Sequence, residues 1–523
     1  MHASADGGWL VPFAERRNDR SYPVKRPKGG EMQEFLHGTE LLFTNPIGIT
    51  IFIGGLIGGL VFGAIPGLNV LTLAAVLLPF TAWFPAEHAI MLYGVIYVSG
   101  IYGGAITAIL FNIPGSVENA PTAFDGYPMT RNGQASKAIG YAVTCSAIGG
   151  TLSASNDGGD RAACELCSFN FGPVEITALI FFGLTVVAGV GSRSLAKGWL
   201  SLGLGLMIGC IGNDPVGATP RYTFDMLYLS GGVGFIPLIL GLFAVSEVFL
   251  QSQRMSKGTY ERPEISVDFP SRAEFWAMRW AVARSTVIGW FSGILPGVGA
   301  TLAAFLSYNE AVRWSKTPEK FGSGEPEGVV APETANNAAT GAAMIPLLAL
   351  GLPGGALTAM MIGVFNVHDM DVGPLIMVEA PDLVWILFAS MFWASLAIFF
   401  LGMVESKTIV HLLRVPFTLL APGIMVFSTI GAYALRGNIF DVLTMFLAGI
   451  AGYFLRKSDY SVAAIVMGVI LGKIGENSLA QALTILDFNY LGFFGEPVAA
   501  VLVAAGLLTV AWSLYRRARQ YFG

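Results

Sequence analysis

Charge is what this 523-residue chain has least of. Asp, Glu, Lys and Arg make up 12% of it, against roughly 25% in soluble globular proteins. The few charges are clumped, which leaves uncharged runs at 46–86, 88–117, 226–246, 334–368 and 383–404. A helix that crosses the hydrocarbon core needs about 20 mostly apolar residues. The runs at 46–86 and 334–368 are long enough for two passes each. The arithmetic gives roughly 10–12 transmembrane helices. The fold class implied is an all-α polytopic membrane protein embedded in the lipid bilayer.

Other absences narrow the function. Four cysteines, Cys145, Cys164, Cys167 and Cys210, are too few for a disulfide framework in a chain this long. Cys164 and Cys167 have metal-ligand spacing, but no second pair or neighbouring His completes a site, so they read as free thiols. The five histidines are scattered, and only "HDMD" at 368–371 sets His beside Asp, where a loop is expected. No metal or other cofactor is assigned. There is no basic stripe, so nucleic acid is not an expected partner. No GxxxxGK[ST] phosphate loop occurs. No long uncharged run carries Lys or Arg at its centre, so an anion held there would rest on backbone N–H groups, Ser, Thr and Asn. A polytopic membrane enzyme would need catalytic groups at depth, and a channel would need polar rings along a pore; these remain the alternatives.

Residues 1–31 contain no apolar core of a signal peptide. Met32 opens "MQEFLHGTELLFTNPIG", which runs straight into the first apolar segment. The expectation is that Met32 is the natural start and 1–31 a disordered or wrongly assigned extension.

What the chain does have is Pro-Gly pairs inside apolar segments. "GAIPGLNVLTLAA" at 63–75 has a counterpart in "GILPGVGATLAAF" at 293–305. "GGAITAILFNIPGS" at 103–116 pairs in the same order with "AAMIPLLALGLPGG" at 342–355. The chain therefore reads as two repeated halves with broken or re-entrant Pro-Gly segments. The first transmembrane half covers 46–250, and the second, with C-terminal helices, covers 285–515. Between them, 251–284 is polar and carries Arg254, Lys257, Arg262, Arg272, Arg279 and Arg284. The positive-inside rule makes it a cytoplasmic linker.

Pro removes a backbone donor and Gly loosens a helix. Non-helical backbone at membrane depth survives only when buried in protein or lining a cavity. Paired broken segments at matching positions of two halves are a pointer to a transporter's binding site. Helix N-termini exposed by a break offer N–H groups and a positive dipole end to anions. Carbonyls at the other end suit a small cation. Packing alone is the competing explanation, and it suffices for Gly54, Gly55, Gly58 and Gly59.

The candidate substrate-binding residues are the breaks and their polar neighbours. In the first half these are Pro66, Gly67, Asn69, Thr72, Asn112, Pro114, Gly115 and Ser116. In the second half they are Pro296, Gly297, Thr301, Asn336, Asn337, Thr340, Pro353 and Gly354. N-capping is a competing role for Asn336. Glu118, Asp125 and Glu333 are as readily loop carboxylates at the membrane surface as site residues.

At these motifs the sequence resembles the large membrane subunit of the tripartite tricarboxylate transporters. The matching stretches are "GAIPGLN", "YGGAITAILFNIPGS", "IGNDPVGATPRYTF" (211–224), "GILPGVGATLAAFLSY" and "FGSGEPEGVVAPETANNAATGAAMIPLLALGLPGG" (321–355). The likeness covers about 46 to 475. It implies uptake of small carboxylates by the bacterial inner membrane, driven by a gradient of Na⁺ or H⁺ as coupling ion. It also implies two partners, a periplasmic solute-binding protein and a small transmembrane subunit. Residues 151–170, "TLSASNDGGDRAACELCSFN", depart from the family, where an apolar helix continues. Normal length with foreign composition is what two compensating frame errors would produce. Taken literally, the segment interrupts its span as an aqueous loop.

Overall fold

The computed structural model describes residues 31–65, 68–159, 172–190, 195–214, 217, 219–254, 270–297, 299–373, 375–412, 417–434 and 436–522. The extension 1–30, Pro66, Gly67, Cys164, Cys167 and residues 255–269 of the central linker lie outside them.

The described chain is helical, and its one sheet is an antiparallel pair of two-residue strands, Gly212–Asn213 and Pro220–Arg221. The main helices are α1 (Glu31–Thr44), α2 (Pro46–Ala64), α3 (Val70–Leu77), α4 (Ala86–Phe111), α5 (Ala120–Arg131) and α6 (Ala135–Gly159). They are followed by α7 (Pro173–Val190), α8 (Leu195–Gly209) and α9 (Phe235–Gln253), the last containing a π-helical stretch at Leu240–Val245. After the linker come α10 (Arg279–Gly293), α11 (Gly299–Trp314), α12 (Glu327–Ala342), α13 (Met344–Leu350) and α14 (Ala356–Val367). The chain ends with α15 (Pro381–Leu412), α16 (Phe417–Ala434), α17 (Ile439–Lys457), α18 (Val462–Ile485) and α19 (Pro497–Phe522).

Six described helices are long and apolar enough to cross a membrane: α2, α4, α9, α15, α17 and α18. Shorter apolar helices stand beside them, and the runs expected to cross twice are built this way. Run 46–86 gives one full helix, α2, and the short α3. Run 334–368 gives no full span: α12 gives way to α13 at Ala343, three residues before Pro346, and α13 is parted from α14 by the left-handed Gly351 and the Pro353 that follows.

Local chemistry sets these ends. Asn45 caps α2 by accepting from the N–H groups of Ile47 and Gly48, with Pro46 in the first helical turn. Small residues bring α2 against α4: a Cβ on Gly59 would lie 2.0 Å from Ser99 Oγ, and one on Gly63 2.5 Å from the Gly100 carbonyl. Packing therefore accounts for Gly55 and Gly59. Gly58 makes only a 3.3 Å approach to Leu73, and Gly54 faces open space.

Helix α4 is almost wholly buried and forms the axis of the first half. It packs against α2, α15, α5 and α6, while α12 lies between α6, α10 and α11. A second group gathers α18, α8, α7 and α19. Ile53, Ile57, Phe291, Leu447, Phe454, Val501 and Leu508 point outward, a surface that suits lipid rather than water.

Residues 151–159 correct one expectation: α6 runs through them instead of breaking at 151. Ala154 packs in the core, and Ser153 Oγ accepts the backbone N–H of Ala342 at 3.1 Å, so the polar side chain is satisfied inside the bundle. Residues 160–170 of that stretch lie outside the described residues.

Candidate functional site

In each half the two breaks touch. Helix α2 ends at Ile65, and Asn69 caps α3 by accepting from the N–H (2.8 Å) and hydroxyl (3.0 Å) of Thr72. Helix α4 ends at Asn112 in the left-handed conformation, φ 55°. The following Gly115 donates to the Gly104 carbonyl at 3.2 Å, and a Cβ on it would sit 2.8 Å from the Gly63 carbonyl. In the second half α10 ends near Ile294, and Gly297 takes φ 97°. Gly297 N–H donates to the Pro353 carbonyl at 3.1 Å, and Gly299 N–H to the Gly354 carbonyl at 3.2 Å. A side chain at Gly297 would collide with Val187, 2.1 Å away.

These breaks enclose a cavity of about 480 Å³. Its wall includes Asn69, Pro114, Gly115, Ser116, Gly297 and Thr301 from the sequence-derived set. It also receives the N-terminal turns of α3 (Leu68–Leu71), α11 (Ala300, Thr301), α14 (Gly355, Ala356) and α18 (Val462–Ala464). The first N–H groups of a helix have no intrahelical acceptor and carry the positive end of its dipole. Their positive dipole ends face the same wall as the carboxylates of Glu118 and Glu247, and Asn69, Thr358 and Ser461 already accept from some of these N–H groups.

One cation reaches this wall among the described residues, and sequence reasoning missed it. Arg456, near the C-terminus of α17, lies 2.6 Å from the buried carboxylate of Glu247 and donates to Ser246 Oγ at 3.2 Å. Glu247 accepts from Gln251 Nε2 at 2.8 Å through its other oxygen. The arrangement holds the guanidinium in place beside the cavity. Only the centres of apolar runs were expected to supply depth, whereas Arg456 enters from a helix end, at the basic close of "GYFLRK". Tyr97, Glu118 and Tyr460 also line the cavity.

The remaining sequence-derived residues stand behind it. Thr72 is buried against Asn69. Asn336, Asn337 and Thr340 lie within fully buried α12, and none caps it. Pro353 and Gly354 brace the first break through their carbonyls, and Pro296 packs beside Gly183. Asn112 is exposed at its helix end and does not line the cavity. Pro66 and Gly67 lie outside the described residues.

Asp125 and Glu333 are not loop carboxylates at a surface, whereas Glu118 is half-buried in the turn between α4 and α5. Asp125 is buried and accepts from the N–H groups of Gly322, Gly324 and Glu325 and from Tyr308 Oη, which pins the loop before α12. Glu333 is buried in mid-helix. His368 and Asp369 form the turn that closes α14, with Asp369 at φ 53°. Among the described residues, no group of three His, Cys, Asp or Glu is placed to hold a metal ion.

A second cavity, about 390 Å³, lies farther along α14 and α18. Its wall includes Asn366, Lys473, Asn477 and the Arg221–Glu476 ion pair.

Long apolar helices, discontinuous partners and a cavity where the breaks meet are the features of a polytopic membrane transport protein. The match to known families is specific. Residues 49–467 fit the tripartite tricarboxylate transporter TctA family, and the chain belongs to that family. It is 36% identical over 464 residues to an uncharacterised 52.8 kDa protein of the TAR-I ttuC′ 3′ region of Agrobacterium vitis, covering 88% of this chain and 92% of that one. A protein of the TAR-II ttuC′ 3′ region of the same organism is 37% identical over 222 residues, 42% of this chain and 92% of the relative. No solved structure gives a significant match.

Proposed function

We propose that this chain is the permease subunit of a binding-protein-dependent secondary transporter that takes up small di- or tricarboxylates across the bacterial inner membrane. One observation carries the reading. Several helix N-termini and the guanidinium of Arg456 converge on a single cavity walled by the Pro-Gly breaks. Carboxylates are what such a wall binds, through N–H groups and a charge-assisted contact.

The periplasmic binding protein would deliver substrate, and the small membrane subunit would complete the permease. A gradient of Na⁺ or H⁺ would drive the cycle. Alternating access follows from treating the halves as a repeat, with the two cavities along α14 and α18 as the two sides of one path. The linker and its flanks carry Arg254, Arg279 and Arg284, which by the positive-inside rule would put that side in the cytoplasm.

The test is reconstitution of all three components in proteoliposomes with labelled citrate, succinate and malate. Uptake of one of them that requires the binding protein and collapses with the ion gradients supports the proposal. Flux that ignores the gradients points to a channel and overturns it.

A further inference from the structure

Glu333 lies one layer behind the cavity, fully buried in α12. Thr122 Oγ1 donates to its Oε1 at 2.5 Å, and the amide nitrogens of Asn119 and Asn336 lie 3.4 Å from the same oxygen. Ser146 Oγ donates to Oε2 at 3.1 Å. All these donors are neutral; among the described residues no Lys, Arg or His is bonded to this carboxylate. An ionised carboxylate in such a place is costly, and an intramembrane acid without a cation marks a functional group.

The orientation of the amides decides what the site can accept. Asn119 Nδ2 also donates to the Ile101 carbonyl at 3.0 Å, and Asn336 Nδ2 to the Glu118 carbonyl at 3.4 Å. Both nitrogens are thereby turned toward Glu333, where N–H groups repel a metal cation that would require oxygen ligands. The hydroxyls of Thr122 and Ser146 can reverse and accept from a protonated carboxyl. Beside them, Asn337 Oδ1 is buried and has no donor.

The cluster is wired to the cavity. Ser116, in the cavity wall, donates to Asn119 Oδ1 at 2.7 Å, and the amide of Asn119 faces Glu333. The carbonyl bonded by Asn336 belongs to Glu118, another wall residue.

We propose that Glu333 binds and releases the proton that accompanies the carboxylate, with Ser116 and Asn119 linking its protonation to occupancy of the cavity. This rests on the uptake reading above and names the proton as the coupling ion left open there. Water in the cavity gives one proton to the carboxylate, forming the neutral acid. On the opposite side the acid returns that proton to water as the substrate leaves.

Of the other ionisable groups on elements packed against α12, Lys137 at the start of α6 pairs with Glu274, Arg313 and Glu310 pair with each other on α11, and Arg131 at the end of α5 is exposed. Cys145 on α6 is a buried neutral thiol. Glu118 lies in the cavity wall, Asp125 on α5 is bound to the 322–325 backbone, and Tyr308 of α11 donates to Asp125. Arg284 on α10 pairs with Glu327, six residues from Glu333 and about 9 Å along the helix axis. On α4 the buried ionisable groups are Tyr93, Tyr97, Tyr102 and His88; His88 sits near the start of the helix, about 20 Å along its axis from Ile101, whose carbonyl Asn119 engages.

The experiment uses the reconstituted three-component system, labelled citrate (or succinate or malate if citrate is not moved) and a pH dye in the lumen. The wild type is expected to bring one proton with each proton-coupled turnover. Its apparent affinity should change by up to about tenfold per pH unit where the carboxyl titrates. Glu333→Gln should still exchange labelled for unlabelled substrate, with a flat pH profile and no proton carried on Glu333. A wild-type proton count in Glu333→Gln overturns the proposal, as does a wild type that needs Na⁺ and moves no proton. If Glu333→Gln does not insert, infrared difference spectra of the wild type decide. A protonated-carboxyl band that responds to substrate, and loses that response in Ser116→Ala, supports the proposal; a band indifferent to substrate overturns it. Absence of carboxylate uptake by the wild type would instead refute the transport reading itself.

Discussion

Asn112 and Gly351 share one left-handed backbone conformation, at φ 55° and 69°, each three residues before the glycine of a Pro-Gly pair. Each ends a buried helix so that the chain can turn toward the cavity. Asn tolerates this region through its short polar side chain, and Gly occupies it freely.

Asn112→Gly is therefore expected to preserve stability and uptake, because the exposed side chain serves only the backbone. Gly351→Ala should destabilise by about 1–2 kcal/mol from the left-handed conformation alone, with a further clash of its Cβ 2.7 Å from the Val372 carbonyl. Thermal unfolding of the purified protein in detergent measures both. Loss of uptake in a stable Asn112→Gly would assign a ligand role to the side chain.

Gly297→Ala should be more damaging, since φ 97° and a 2.1 Å approach to Val187 both oppose a side chain. A loss of about 2–4 kcal/mol combines backbone strain with overpacking. Gly297→Ala combined with Val187→Ala should recover the packing part only. Equal stability of all these variants would show that the break is not close-packed.

Arg456→Gln should weaken carboxylate binding about 10- to 100-fold, the worth of a charge-assisted hydrogen bond of about 1.5–3 kcal/mol. It also strands the buried carboxylate of Glu247, which costs about 3–5 kcal/mol when a buried pair loses one member. The Arg456→Gln/Glu247→Gln double variant should regain stability without regaining affinity. Recovery of both would make the pair purely structural.

Lys137 and Glu274 tie the start of α6 to the segment before α10, with Nζ 2.6 Å from Oε1. The lysine, then the Ser271 backbone and hydroxyl, hold the Glu274 carboxyl down to about 2. Its contribution is fully present above the ordinary carboxyl value of about 4.3 and is lost as pH falls through about 2. Lys137→Ala should return the Glu274 titration, followed by carbon NMR, toward the ordinary range. An unchanged titration would remove the ion pair as its cause.

The breaks were legible in the sequence because Pro and Gly act on their own backbone, whatever surrounds them. Asn69, Ser116, Gly297 and Thr301 line the cavity because they lie in or beside those breaks. Arg456 was not legible: its helix end reads as an interfacial basic residue, and only the fold brings Glu247 and the breaks beside it. Glu333 was legible as an acid but not as a buried one, since its satisfying partners Thr122, Asn119 and Ser146 come from α5, α6 and the turn between α4 and α5. The cutting of 334–368 into short helices was hidden because hydropathy counts residues and not the breaks at Ala343 and at the left-handed Gly351.

The central claim is that the breaks hold the substrate, and cysteine protection at Thr301 tests it most directly. In a cysteine-free background, Thr301→Cys in the reconstituted system would be alkylated with and without citrate, succinate and malate. The account requires that the transported carboxylate slow alkylation in proportion to its occupancy. Alkylation at one constant rate, while the same preparation takes up that carboxylate, would contradict it.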